Sequence, residues 1–576
     1  MMVRKPARIV FRNTTVYTAD RQRPWATALA VDDGRIAWVG DDAQADGWIG
    51  AKTELLALPG LLVLPGFRDS HIHPLTGSFN LLECRLTGPA DARAYLGQIR
   101  TYLAANAGQP FLRGGGWLPD AFGPEGPDRR ALDEAVPDRP AILKALDGHS
   151  AWVNGRALEL AGIGRDTPDP AGGTIVRDRA TGEATGTLRE WSAMELVEAK
   201  LPAPTRRDLV TAGWAFMERA SPLGIVSLHE AMAGAAELEA YRTLEQSGDL
   251  PLRVSAALLC EPPGGEATVE ALCALQRKYE APLVRPRAAK LFLDGVLEAH
   301  TARLLSPYED RPGFCGESLW EPGDLDRTVQ ALDRAGFQLH LHATGDAAVR
   351  LALDAWERNL KSGGRRDGRP LIAHCDLMDA TDIPRFGPLG AAALLQPAWF
   401  YAETNFSRTV LPFLGPQRAH SLYRMRSLLE AGAAVACGSD WPFSGELNTF
   451  NPLEAIQVGM TRAGLASDPE KSYLPEERVD LASLIDGFTI AGARADFQEG
   501  ITGSLTVGKS ADLVVLDRNL FTMPAQEISR AKVLLTLFEG RAVFRDPALQ
   551  GGPARPAAAR EARRPDNPAQ AKTKET

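Results

Sequence analysis

The chain has 576 residues, 44% hydrophobic and 24% charged, the balance of a globular protein with room for more than one structural unit or for one large α/β barrel with additions. Its 64 basic and 73 acidic residues leave a net charge of −9, too mild to point to a nucleic-acid partner. No apolar run approaches the roughly 20 residues that span a bilayer, so no membrane partner is expected either.

The start, MMVRKPARIVFRNTTVYTAD, lacks the apolar core of a signal peptide and reads as a strand. Six cysteines (Cys84, Cys260, Cys273, Cys315, Cys375 and Cys437) are scattered without pairing or zinc-finger spacing, as expected of reduced thiols in a cytoplasmic protein. Residues 8–66 read as short strands, with Asp33-Gly34 as a hairpin turn between two alternating runs. From about Leu62 the texture changes. Apolar strands such as LLVLPG, PAILKAL, GIVSLHE and AAKLFLDG alternate with longer helical stretches, the pattern of a parallel α/β array. GFQLHLHATGDAAVRLALDAWERNL followed by RPLIAHCDL reads as strand, helix and strand. Residues 110–200 are rich in Gly and Pro and look inserted, with a hairpin in DTPDPAGGTIVRDRATGEATGTLRE. After about 495 strands return in GSLTVGKSADLVVLDRN and KVLLTLFEGRAVFRD. The expected organisation is therefore a small β domain made of residues 1–66 and 496–548, with an α/β barrel over 67–495 between them. Residues 549–576 have no apolar periodicity and read as a disordered tail.

Nine histidines are present, and their placement carries the functional reading. His71 and His73 flank Ile72 just after Leu-Pro-Gly, and His340 and His342 form a second H-x-H. Residues two apart on a strand face the same side. Both pairs, together with His374 in LIAHCD and Asp440 in ACGSDWP, occur where an apolar run gives way to a loop. In an α/β barrel such strand ends converge on one face. Neutral imidazoles and a carboxylate there suit zinc or a similar divalent ion, whereas the bland alternative needs four independent coincidences. Lys290 sits inside an apolar strand, where a bare ammonium is costly. It either snorkels or pairs with Asp294, or its amine is carbamylated by CO2 and bridges two metal ions. Asp346 reads as a cap on the helix that follows it.

LPGFRDSHIHP, LHATGDAAV, IAHCD, GSDWP and GSLTVGKSADLVVLD, in this order, resemble the amidohydrolase superfamily. DGHSAWVNGRALELAGI, GGTIVRDRATGEATGTLREW and NPLEAIQVGMTR are similar to stretches of its YtcJ-like, amidohydrolase-3 branch, which includes N-substituted formamide deformylases. The resemblance covers about residues 8–545. It implies a (β/α)8 TIM-like barrel plus a small β-sandwich formed by both termini. It assigns His71 and His73 to a first metal, His342 and His374 to a second, Lys290 to a bridging carbamate, and Asp440 to the carboxylate after the eighth strand. His340 is implied to stand behind the ligands, and His149 to face the substrate. Trp117, Glu190 and His300 are further substrate-contact candidates, with packing or surface charge as the alternative for Trp117 and Glu190. His229 and His420 stay open between site and scaffold.

The expected activity is hydrolysis of an amide-type C–N bond, in an N-formyl or N-acyl amine, by metal-activated hydroxide with Asp440 as proton shuttle. A cyclic amide, a carbamate or an ester remain alternatives on the same site, as do a metal-dependent isomerase and a non-catalytic binding or regulatory protein. The expected cofactor is one or two divalent ions, zinc foremost. The expected partner is a small-molecule substrate, and a homodimer is one assembly open to the chain.

Overall fold

The computed structural model describes residues 5–549 apart from positions 87, 89, 90, 119, 120, 124, 146–149, 171, 172, 299, 404, 405, 408 and 468–470. Within them the chain forms two compact units, one from residues 5–74 with 213–549 and the other from Leu75–Ala212.

The first unit is built on eight parallel strands whose neighbours in space are neighbours in sequence. They are β1 (Phe67–Ile72), β2 (Ile225–Ala233), β3 (Arg253–Leu259), β4 (Val284–Phe292), β5 (Gln338–Ala343), β6 (Leu371–His374), β7 (Ala392–Leu395) and β8 (Ala434–Cys437). Strands covered on both faces need unbroken apolar runs. Accordingly, every residue of β1, β5, β6 and β7 is buried. The ring closes just past the strand ends, where Asp440 N donates to His71 O at 2.7 Å and His73 N to Trp441 O at 2.9 Å. This is the (β/α)8-type barrel that the residue pattern anticipates. Helices Pro322–Arg334 and Asp346–Lys361 lead into β5 and out of it. Asp346 is the first residue of its helix rather than the residue before it, and its Oδ1 accepts from Ala347 N and Leu305 N.

Both chain ends contribute to the two remaining sheets of this unit. One has the order Arg35–Gly40, Ala28–Asp32, Ile9–Arg12, Glu54–Ala57. The other runs Arg541–Arg545, Val533–Phe538, Leu513–Leu516, Leu62–Pro65, Thr15–Tyr17, Trp25–Ala26. Phe11, Leu29, Val31, Val63, Leu513, Val515 and Leu535 fill one core shared by the two sheets. Asp33 and Gly34, with φ of 47° and 74°, make the anticipated tight turn.

Of the quoted apolar runs, one stays within the 1–66 span expected for the β domain and one falls elsewhere than the alternating texture suggests. Leu62–Pro65 pairs with Leu513–Leu516 in the sandwich, and Ala141–Ala145 lies in the second unit. A short apolar run fixes a buried strand but not the sheet that buries it. The second unit is also larger than the 110–200 insertion expected from Gly and Pro content. It holds a six-stranded sheet in the order Thr174–Arg177, Ala184–Arg189, Ser150–Val153, Ala141–Ala145, Leu112–Trp117, Cys84–Arg85, whose first two strands are the anticipated hairpin. Leu549 packs into the sandwich core, and the tail expected to be disordered otherwise lies outside the described residues. Among those residues no helix is long and apolar enough to cross a membrane, and all six cysteines are free thiols.

Candidate metal centre

The C-terminal ends of β1, β5, β6 and β8 deliver their polar residues to one place. β1 ends in His71-Ile72 with His73 directly after it, β5 carries His340 and His342, β6 ends in His374, and Asp440 follows β8 by three residues. All are buried. One ligand atom from each of His71, His374 and Asp440 lies within 4.8 Å of the others. Asp440 Oδ1 is 3.3 Å from His71 Nε2 and 3.2 Å from His73 Nε2. His374 meets His71 and His342 with ring centroids 4.8 and 4.5 Å away.

The donor chemistry fits a divalent ion. Buried His71 Nε2, His73 Nδ1 and Asp440 Oδ1 have no hydrogen-bond partner among the described residues. Buried polar atoms left in this way are costly unless something else satisfies them. Burial pushes His71 and His374 well below the usual imidazole value, so both offer neutral rings with a free lone pair. Burial opposes ionisation of Asp440, yet His73, His374 and Lys290 around it hold its carboxyl below the usual value.

Neighbouring groups aim these ligands. His374 Nδ1 is 3.2 Å from Gln396 Oε1, which leaves Nε2 free when the ring donates there. Trp399 stacks on the same ring at 5.7 Å. Asp69 Oδ1 accepts from His71 N at 3.2 Å and from Ser439 N at 3.0 Å, tying the ends of β1 and β8 together. Glu230 Oε1 stands 3.7 Å from His73 Nδ1, while its other oxygen accepts from Tyr241. His374 and Asp440 have φ of 76° and 56°, a left-handed backbone that costs about 1–3 kcal/mol at a residue other than Gly. Sequence reasoning missed Asp69, Glu230, Gln396 and Trp399. Only their positions in or just after apolar runs could have marked them.

Lys290 is buried in β4, in register with His340, with Nζ 4.8 Å from the centre of the Phe292 ring. Burial lowers its pKa to about 8, with Asp440 working in the opposite direction. The alternative pairing with Asp294 is not formed. Asp294 instead accepts from the backbone N–H groups of Arg303, Thr344 and Gly345. His342 Nε2 donates to Gly295 O at 3.0 Å, so its Nδ1 is the atom left for a metal.

The remaining candidates have partners of their own where they are described. His300 is buried with Nε2 2.8 Å from Asp310 and its ring 3.9 Å from that of Phe413. Trp117 is a core residue of the second unit whose indole N–H donates to Leu143 O, so its side chain is already committed to packing. Glu190 precedes helix Trp191–Glu198 in that unit. His420 is exposed and bonded to Pro416 O. His149 lies outside the described residues. His229 and His340 are buried in hydrogen-bond contact with each other.

An eight-stranded parallel barrel with histidines and a carboxylate at its strand ends defines a class of metal-centred protein. Residues 54–544 match the amidohydrolase family, and the chain belongs to it. It is 30% identical over 549 residues to the protein LONG AFTER FAR-RED 3 of Arabidopsis thaliana, covering 93% of this chain and 92% of that one. It is 27% identical over 542 residues to an N-substituted formamide deformylase of Arthrobacter pascens, covering 92% and 96%. The crystal structure of an uncharacterized metal-dependent hydrolase from Pyrococcus furiosus shares the fold, with TM-score 0.72 and 24% identity over 89% of this chain and 99% of that one.

Proposed function

We propose that the protein is a metal-dependent hydrolase that cleaves an amide-type C–N bond, with N-formyl or N-acyl amines as substrates. The observation that carries this reading is the convergence of His71, His73, His374 and Asp440, with His71 Nε2 and Asp440 Oδ1 buried and unsatisfied between them. These four residues would hold the ion. His342 and Lys290, the latter as a carbamate, would extend the cluster to a second ion. Zinc suits the set of imidazoles and carboxylate, as do manganese, iron and cobalt.

A divalent ion at such a position brings the pKa of water from about 15.7 to about 7 and polarises a substrate carbonyl. The chain's own contribution is proton handling and orientation. Asp440, held as a carboxylate by the imidazoles around it, takes the proton of the attacking water. It returns that proton to the nitrogen as the C–N bond breaks, releasing an acid and an amine. Phe443 is 50% exposed, with its ring 5.4 Å from that of His73, and Trp399 stacks on His374. These rings supply an apolar surface for the substituent on nitrogen. The relative named as an N-substituted formamide deformylase supports the choice of bond.

The test is a panel of N-formyl amines, N-acyl amino acids, aryl amides and esters offered to zinc- and manganese-loaded protein. Turnover of a formyl or acyl amine is the expected result. Hydrolysis confined to esters, or no hydrolysis of any member, would overturn the assignment of the bond.

A further inference from the structure

Beneath the metal cluster lies a line of buried side chains that the reaction itself does not use. Asp496 Oδ1 is 2.9 Å from His229 Nδ1, His229 Nε2 is 3.2 Å from His340 Nδ1, and His340 Nε2 is 3.0 Å from His71 Nδ1. All three imidazoles are at most 1% exposed, and successive rings cross at 70–72° with centroids 4.8 Å apart. The other Asp496 oxygen pairs with the buried guanidinium of Arg68. At its lower end the line borders a cavity of about 270 Å3 whose walls include Arg285, Gln338 and Arg365 near the N-terminal ends of β4 and β5.

We infer that Asp496, His229 and His340 are positioning residues that fix the tautomer of His71 so that its bare Nε2 faces the metal. The inference rests on the metal-centred reading above. Its logic is one of donors and acceptors. A carboxylate only accepts, and a neutral imidazole has one N–H and one lone pair. Asp496 therefore requires the proton of His229 on Nδ1, which leaves His229 Nε2 as acceptor. That nitrogen takes the Nδ1–H of His340, and the freed His340 Nε2 takes the Nδ1–H of His71. All three Nε2 atoms are then bare, and only that of His71 has no imidazole N–H to occupy its lone pair. It is the atom 3.3 Å from Asp440 Oδ1 that has no hydrogen-bond partner among the described residues. The rings are buried in the barrel interior, where a low dielectric disfavours a charged imidazole, as the alternation demands. Carboxylate partners behind metal-ligating histidines commonly act directly. Here two further imidazoles carry the same polarity from the interior of the barrel to its mouth.

Asp496→Asn reverses the line without changing its shape. The guanidinium of Arg68 only donates, so it would claim the amide oxygen and leave the amide NH2 facing His229 Nδ1. Each ring would then flip its proton, and His71 would present Nε2–H to the site. His340→Leu cuts the line while leaving the Asp496–Arg68 pair intact. Zinc affinity measured by competition with a chelator should fall about 10–100-fold in each variant. The double variant should lose no more than the worse single one, because the residues act as one unit. In the metal-free protein, imidazole 15N shifts should report a bare Nε2 on His71 in the wild type and a protonated one in Asp496→Asn. Unchanged zinc affinity in both variants, additive losses, or the same His71 tautomer with and without the carboxylate would overturn the inference. A wild type that binds no zinc would count against the metal-centred reading instead, and the 15N shifts would still decide the tautomer.

Discussion

In the proposed reaction Asp440 is the residue on which binding and chemistry meet, because one carboxylate lies within 3.3 Å of two imidazoles and is held ionised by its surroundings. Asp440→Asn keeps the shape and one coordinating oxygen but cannot carry a proton. Turnover should drop by about 10²–10⁴-fold, with most of the bound metal retained when the variant is assayed by metal analysis. Near-native turnover would remove Asp440 from its proton-transfer role. Lys290 makes a second prediction at this scale. With its pKa drawn down to about 8, the neutral amine that reacts with CO2 is accessible close to neutrality. Intact mass in bicarbonate buffer above that pH should show one added CO2, lost in Lys290→Arg; an unmodified mass throughout would exclude the carbamate. The cluster proposed to hold the ion was readable from sequence because histidine is rare in this chain and these copies stand at the ends of apolar runs. Asp496 was not readable: nothing around RADFQEG marks an aspartate that reaches His229 across 267 positions.

The strands set the spacing of those candidate ligands, and the closure between β8 and β1 is a close backbone contact. A Cβ at Gly438 would lie 2.5 Å from His71 N and 2.9 Å from His71 O. Both are backbone atoms that cannot rotate away. Gly438→Ala should therefore pry β8 from β1, costing about 1–3 kcal/mol and weakening metal binding, since Asp440 follows β8 and His71 ends β1. A variant with wild-type melting temperature and metal content would show that the closure tolerates separation. The same scale explains which elements were legible. GIVSLHE, AAKLFLDG and FQLHLHA announce barrel strands because parallel strands covered on both faces need continuous apolar runs. PAILKAL looks identical by that criterion yet lies in the sheet of the second unit, since a run of apolar residues carries no information about its partner strand. The left-handed backbone at His374 and Asp440 was equally hidden, because local sequence would place neither residue there.

At the scale of the whole molecule, sandwich and barrel of the first unit are joined by buried charge as well as by chain connectivity. Arg253 of β3 pairs with Asp512 and, at 2.8 Å, with Glu539, which flank strands Leu513–Leu516 and Val533–Phe538. Removing one member of a buried pair leaves the other uncompensated. Arg253→Met should thus lower stability by about 3–5 kcal/mol, read as an earlier unfolding transition in denaturant. An unchanged transition would show that the apolar contacts alone join the two layers. The union of both chain ends in one sandwich was legible from matching strand lengths and turns. The extent of the second unit was not, because its first strand, Cys84–Arg85, and the helix Ala92–Ala105 lie outside the Gly- and Pro-rich stretch that signalled an insertion. All of this architecture serves one claim, that the strand ends hold a divalent ion on which hydrolysis depends. The most direct test is the metal content of purified wild-type protein compared with His374→Ala, measured together with hydrolysis before and after chelation. The account predicts a bound divalent ion in the wild type, its loss in the variant, and activity that disappears with chelator and returns with zinc or manganese. Full hydrolytic activity in metal-free wild-type protein would contradict it.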